Sequence, residues 1–226
     1  MKSNLYVIIE TPESFSREIL KHASPEPEKD PACTFILPKD QDSCPNKYSH
    51  WTWTEKLPVF KLGSEIEEIF LFLSNKLSLA DQMEGVINLL SKKNDLQLVR
   101  VLTFINANFL KTEKKEFINW LDCCAHFSDV MCFTNRLNEN AGKISEIMER
   151  YKNMCFPMET IILGLKKNPP IDQILAPISL RISHIFDHPD MLEDEDLPEN
   201  DPYLTSKANK ERVKTILPFS KIFEEE

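Results

Sequence analysis

Glycine is nearly missing from this chain: 226 residues hold four, against roughly sixteen at the ~7% of an average protein. Loops that cradle phosphate use glycine so that successive backbone N–H groups can wrap an anion closely, and the shortage argues against an intact loop of that kind. Long apolar runs are lacking too. No stretch reaches the roughly 18 residues of a membrane span, so no membrane partner is expected. The opening, MKSNLYVIIETPESF, ends its apolar stretch at Glu10 with no small-residue cleavage site after it, and reads as a first strand and not a signal peptide. Basic charge is in deficit, with 27 Lys and Arg against 36 Asp and Glu and a net charge of -9. A nucleic-acid binder gathers Lys and Arg to neutralise phosphates, so nucleic acid is not an expected partner.

The six cysteines, Cys33, Cys44, Cys123, Cys124, Cys132 and Cys155, form no CxxC pair and lack the density of a secreted disulfide scaffold. They read as reduced thiols of a cytoplasmic protein, four of them in strand or helix stretches where a free thiol behaves as a small apolar group.

What the sequence does contain is alternation. Short apolar blocks, LYVII, CTFIL, EIFLFL, LVRVLTFIN, DVMCFTN and METIIL, are separated by helix-length amphipathic blocks, the pattern of parallel βαβ construction. The expectation is an α/β protein with a doubly wound, mostly parallel sheet and flanking helices. Pro12 is well placed to start a first helix running to His22. Ser78 can cap a second, and residues 115–127 put Phe117, Trp120, Leu121 and Cys124 on one stripe. Residues 38–56 read as an irregular excursion carrying Trp51 and Trp53. Residues 1–166 are expected to form the α/β domain. Residues 167–226, rich in proline and acid, are expected to form an extension that packs on the domain through anchors such as Ile174, Ile185, Tyr203, Ile216 and Phe219 while remaining partly flexible.

At three strand ends the chain resembles, in order, the P-loop GTPases of the CobW type, a family associated with metal and cobalamin handling. EEIFLFLSNKLSLADQMEGV resembles the family's strand and "ETSGLADP" helix start, with Ser74 and Leu79-Ala80-Asp81 retained and the strand-end acid absent. RVLTFINANF resembles "VVTVVDAxxF", with Asn106 at the Asp position and Phe109 kept, and FSDVMCFTNRLN resembles "FADVVLLNKxDL". There Asn135 matches the guanine-recognition Asn, while Arg136 replaces Lys and Asn138 replaces Asp. The resemblance covers roughly residues 5–165 and implies a P-loop NTPase fold without the family's C-terminal domain.

Physical chemistry argues against the family's reaction. A phosphate loop needs G-x-x-x-x-G-K-[ST] for its N–H cradle, its lysine and its magnesium-binding hydroxyl. After the first strand this chain has Glu10-Thr11-Pro12-Glu13-Ser14-Phe15-Ser16-Arg17, with no glycine, one N–H removed by proline and two acids in place. Asn138 has one acceptor oxygen where the family's Asp has two.

No catalytic residue is nominated, and no cofactor or metal is expected. The remnant base-recognition turn leaves Asn135 and Asn138 as the candidate ligand-binding residues, with a plain turn role for Asn135 equally open. Adjacent Cys123 and Cys124 point about 100° apart on a helix, so one is expected in the core and the other partly exposed. His184, Asp187, His188 and Asp190 could supply ligands, but such a tail is ordinarily solvated. Trp51 and Trp53 are expected to pack on the domain's own surface in preference to forming an interaction patch. The functional expectation is a non-catalytic binding or regulatory protein with a degenerate GTPase-like fold and a protein partner, with an intact GTPase as the candidate. The alternative is a nucleotide-dependent metal chaperone of the CobW type with an altered site.

Overall fold

The computed structural model describes residues 2–23, 32–40, 48–61, 66–164, 168–187, 197–209 and 211–224. Its centre is an eight-stranded sheet built from β1 (Ser3–Glu10), β2 (Cys33–Pro38), β3 (Ser49–Thr54), β4 (Leu57–Val59), β5 (Glu68–Phe72), β6 (Leu96–Asn106), β7 (Val130–Thr134) and β8 (Glu159–Ile162). The strands lie in the order β4-β3-β2-β5-β1-β6-β7-β8, and every pair is parallel except the β3–β4 hairpin. Helices α1 (Ser16–Leu20), α2 (Leu79–Lys92), α3 (Lys115–Phe127) and α4 (Ala141–Asn153) link the strands, and α5 (Ile171–Ile174) and α6 (Phe219–Phe223) follow. The α/β architecture with a mostly parallel sheet is therefore the one the apolar blocks imply.

Alternation along β1 divides the core. Leu5, Val7 and Ile9 face α2, α3 and α4, whose Met83, Val86, Phe117, Leu121 and Ile144 pack on them in one cluster. Tyr6 and Ile8 point the other way, into a second cluster with Leu20 of α1 and Ile174 of α5. The central strands are apolar on both sides because both sides are covered.

Three local readings are corrected. The helix after β1 starts at Ser16, beyond a turn in which Phe15 is left-handed, so Pro12 lies in the loop and opens no helix. Residues 49–54 are a strand and not part of an irregular excursion. Trp51 is buried and donates its indole N–H to the Phe72 carbonyl at 2.7 Å, which pins β3 to the sheet. Cys123 and Cys124 are both fully buried, because α3 is covered on one side by the sheet and on another by chain from the C-terminal region, whose Tyr203 ring packs at a tilt against His126 and Phe127.

Gly85 is required by a close approach: a Cβ there would stand 2.5 Å from the Trp53 ring. Trp53 lies edge-on to Trp51 with centroids 6.2 Å apart, so both tryptophans pack within the chain.

The described residues beyond 167 have little regular structure and are fastened by buried polar groups. Arg100, fully buried in β6, donates to the carbonyls of Gln173 (2.7 Å), Ile174 (3.0 Å) and Ile178 (2.9 Å). Asp129, also fully buried, accepts from the N–H groups of Val101 (2.7 Å), Leu180 (2.6 Å) and Arg181 (3.1 Å) and pairs with the Arg181 guanidinium at 3.2 Å. His126 Nε2 meets Asp201 Oδ2 at 2.7 Å, and Ser183 donates to the same oxygen at 2.8 Å. Ile174, Ile185, Tyr203, Ile216 and Phe219 are buried, and Leu217 is exposed.

Candidate functional site

In an open parallel sheet, a crevice forms outside the C-terminal strand ends where successive connections leave in opposite directions. Here that place lies between β1, whose connection runs through α1, and β6, whose connection runs through α3 on the other face. A cavity of about 630 Å³ opens there, lined by residues 10–18 together with Asn75, Lys76, Phe109, Phe219, Ser220 and Phe223.

The loop after β1 is held by amide side chains. Thr11 N–H donates to the Phe104 carbonyl at 3.0 Å, and Thr11 Oγ1 accepts from Asn106 N–H at 2.7 Å. Asn106 Nδ2 donates to the Pro12 carbonyl at 3.2 Å, and Asn135 Nδ2 to the Glu13 carbonyl at 2.9 Å. Glu13 and Phe15 are both left-handed, at φ 56°, a conformation that costs a non-glycine residue roughly 1–2 kcal/mol. With two carbonyls turned away and held, the N–H groups of Glu13, Ser14, Phe15 and Ser16 meet no acceptor among the described residues. The Ser14 hydroxyl, 2% exposed, has no hydrogen-bond partner either.

The charge in this corner is acidic. The Glu10 side chain is 17% exposed, accepts a hydrogen bond from Ser16 Oγ and stands 3.7 Å from Arg17 Nη2. Burial pushes its carboxyl up from the ordinary range, and Ser16 and Arg17 offset part of that rise. A phosphate brought to the open N–H groups would meet Glu10, Glu13 and Glu18 against Arg17 and Lys76.

The other two strand ends are held by amide side chains. At the end of β5, buried Ser74 is clipped by Gln82, whose Oε1 accepts from Ser74 N–H (2.7 Å) and whose Nε2 donates to the Ser74 carbonyl (2.8 Å). An amide, and not a carboxylate, holds the Ser74 backbone there. In the turn after β7, Asn135 is left-handed at φ 54° and serves the β1 loop. Asn138 is exposed and makes no hydrogen bond among the described residues. The two candidate residues share a turn, and neither lines the crevice cavity.

The organiser of that turn is Asn140, which sequence reasoning missed. It is fully buried, accepts from Leu137 N–H at 2.8 Å and donates to the Asn135 carbonyl at 3.0 Å and to Asn108 Oδ1 at 3.3 Å. The available signal was the Asn-Glu-Asn spacing ahead of a helix, which places an amide where it can tie a turn.

One wall of the cavity comes from the far end of the sequence. Phe219 and Phe223 of α6 pack edge-on against Phe109 at 5.1 and 5.0 Å, and Phe219 also meets Trp120 at 5.0 Å. Ser220 N–H donates to the Asn75 carbonyl at 3.0 Å and Lys114 Nζ to the Ile222 carbonyl at 2.8 Å, which fixes α6 over the strand ends.

Among the described residues no three His, Cys, Asp or Glu side chains converge as a metal site. His184 pairs with Asp187 at 2.9 Å and Asp187 with Arg181 at 3.0 Å; His188 and Asp190 lie outside the described residues, as does Cys44. Ser183, Asp201 and His126 do meet, but the carboxylate sits between the other two, so the serine has no histidine to take its proton. Among the described residues no helix is long and apolar enough to cross a membrane. Comparison with protein-family models, with curated proteins and with solved structures gives no match to this chain, so its site is read from its own geometry.

Proposed function

We propose that this chain is a non-catalytic binding or regulatory protein on a degenerate GTPase-like fold, working beside an intact GTPase. The observation that carries the reading is the corner after β1, where the Glu10 carboxylate, bonded by Ser16 and flanked by Arg17, lies where the resemblance would put a nucleotide's phosphates. Phosphoryl transfer is almost entirely positioning and charge stabilisation, and it needs a cation-rich cradle with a held magnesium ion. Pro12 withdraws an N–H, Ser74 and Gln82 occupy the strand end where an acid would hold the metal, and Asn138 is exposed and does not line the cavity. The link to a GTPase rests on the ordered resemblance at Ser74, Asn106 and Asn135. Isothermal titration with GTP, GDP and ATP in magnesium tests the reading: no binding heat is expected, and micromolar binding with turnover overturns it.

A second reading, a nucleotide-dependent metal chaperone with an altered site, is favoured by one observation. Four N–H groups from Glu13 to Ser16, residues that line the cavity, and the buried Ser14 hydroxyl have no partner among the described residues, and an anionic group could supply one. Nucleotide binding without turnover, joined to a stoichiometric metal in untagged protein, would favour this reading over the first.

A further inference from the structure

The two edges of the sheet are finished differently. At one, β4 is three residues long, carries Pro58, which has no N–H to offer, and packs against α2. At the other, β8 is also short, at four residues, but carries no proline, and among the described residues no strand pairs with its outer side. Its Glu159 and Leu163 N–H groups point inward, to the Asp129 carbonyl at 3.0 Å and the Phe133 carbonyl at 2.8 Å. Alternation then turns the N–H and C=O groups of Thr160 and Ile162 outward, where they meet no partner among the described residues. The Ile162 side chain is 42% exposed. Beside it, between β8 and α4, runs a groove of about 590 Å³ whose wall includes Met148, Phe156, Met158 and Thr160.

We propose that β8 pairs antiparallel with β8 of a second copy of this chain, across a two-fold axis at Ile161. That axis sets Thr160 opposite Ile162 of the other copy. Both have outward N–H and C=O groups, so each such pair closes two backbone hydrogen bonds. Thr160 and Ile162 share a face of the strand, and it is the face on which the groove opens. Ile162 of each copy therefore arrives over Thr160, at the mouth of the other's groove, so each copy supplies one apolar knob and one hole. Charge permits this contact. The chain carries a net -9, which opposes unspecific self-association, but the groove's rim holds one acid, Glu149, and one base, Lys152. A rim balanced in this way neither repels its own copy nor selects a strongly charged stranger.

Light scattering on the size-separated full chain, with reductant present because Cys155 is exposed, tests the pairing. The expected mass is twice the 26.3 kDa of one chain. Ile162→Lys is expected to halve it while leaving the circular dichroism near that of the parent. Thr160→Pro, which deletes an outward N–H and no bond to β7, decides the matter if the first variant misfolds, and it too is expected to give single chains. In the parent, amide exchange at Thr160 and Ile162 is expected to quicken on dilution. A parent that stays single at every concentration, or a dimer that survives both substitutions, overturns the proposal.

Discussion

Two buried carboxylate settings, one in the crevice and one under the C-terminal region, show how the same group is used in opposite ways. Asp201 sits among donors. Burial pushes its carboxyl up, but His126, Ser183 and the Tyr203 N–H together outweigh burial and hold it below the usual carboxylate range. Glu10 has the hydroxyl of Ser16 and a distant guanidinium, and burial wins, so its carboxyl is held above that range. The difference lies in the number of donors facing the charge: a fully coordinated carboxylate ties chain together, whereas a thinly coordinated one is a local cost kept in place by its surroundings. Asp129, which accepts from three N–H groups and a guanidinium, is of the first kind.

The largest test of that contrast is Asp129→Ala. It leaves the Arg181 guanidinium, whose side chain is 5% exposed, without its buried partner, and a loss of about 3–5 kcal/mol in urea unfolding is expected. A loss within experimental error would show that residues 178–187 are not fastened there. Asp201→Asn comes next, and its sign depends on pH. A carboxyl depressed in the folded state contributes stability above its unfolded pKa of about 3.9 and loses it as pH falls through the lower folded value. The melting midpoint of the variant is therefore expected well below the parent's at neutral pH, with the gap closing in acid. In the crevice, Asn135→Ala removes the donor to the Glu13 carbonyl and places alanine in a left-handed conformation. A cost of about 1–2 kcal/mol is expected, with faster amide exchange across residues 12–16.

Glu10→Gln is the smallest and runs the other way. A carboxyl raised in the folded state contributes stability below its unfolded pKa of about 4.3 and loses it as pH rises through the higher folded value. The variant is expected to melt at or slightly above the parent at neutral pH and to lose that advantage in acid. A neutral-pH melting midpoint clearly below the parent's would place Glu10 with Asp201, and the contrast would fail.

The central strands were legible because β1, β5, β6 and β7 are apolar on both sides, a pattern that burial imposes directly on sequence. Strand β3 does carry the alternation of a half-buried strand in SHWTWT, but the stretch rich in Pro, Asp and Asn before it masked that signal. The hydrophobic anchors beyond residue 167 could be named in advance, but their polar fasteners could not. Arg100 sits in a strand that otherwise reads as pure core, and nothing in local sequence says that three carbonyls some seventy residues away will meet it. At the crevice, the acidic glycine-free loop was plain. The division of labour among asparagines was not, because whether Asn135, Asn138 or Asn140 turns inward is set by the handedness of single turn residues.

The positive-φ positions among the described residues are Glu13, Phe15, Glu55, Lys56, Asn135 and Cys155, and no described glycine is among them. Evolvability follows from this. Elsewhere a new glycine would loosen the chain, but at these six places it would relieve the backbone without asking it to move. Glu13 and Phe15 already hold the bend that glycines would make easy, so single substitutions at the crevice could change its charge and bulk while leaving its shape, and a different ligand could be acquired there without redesigning the fold.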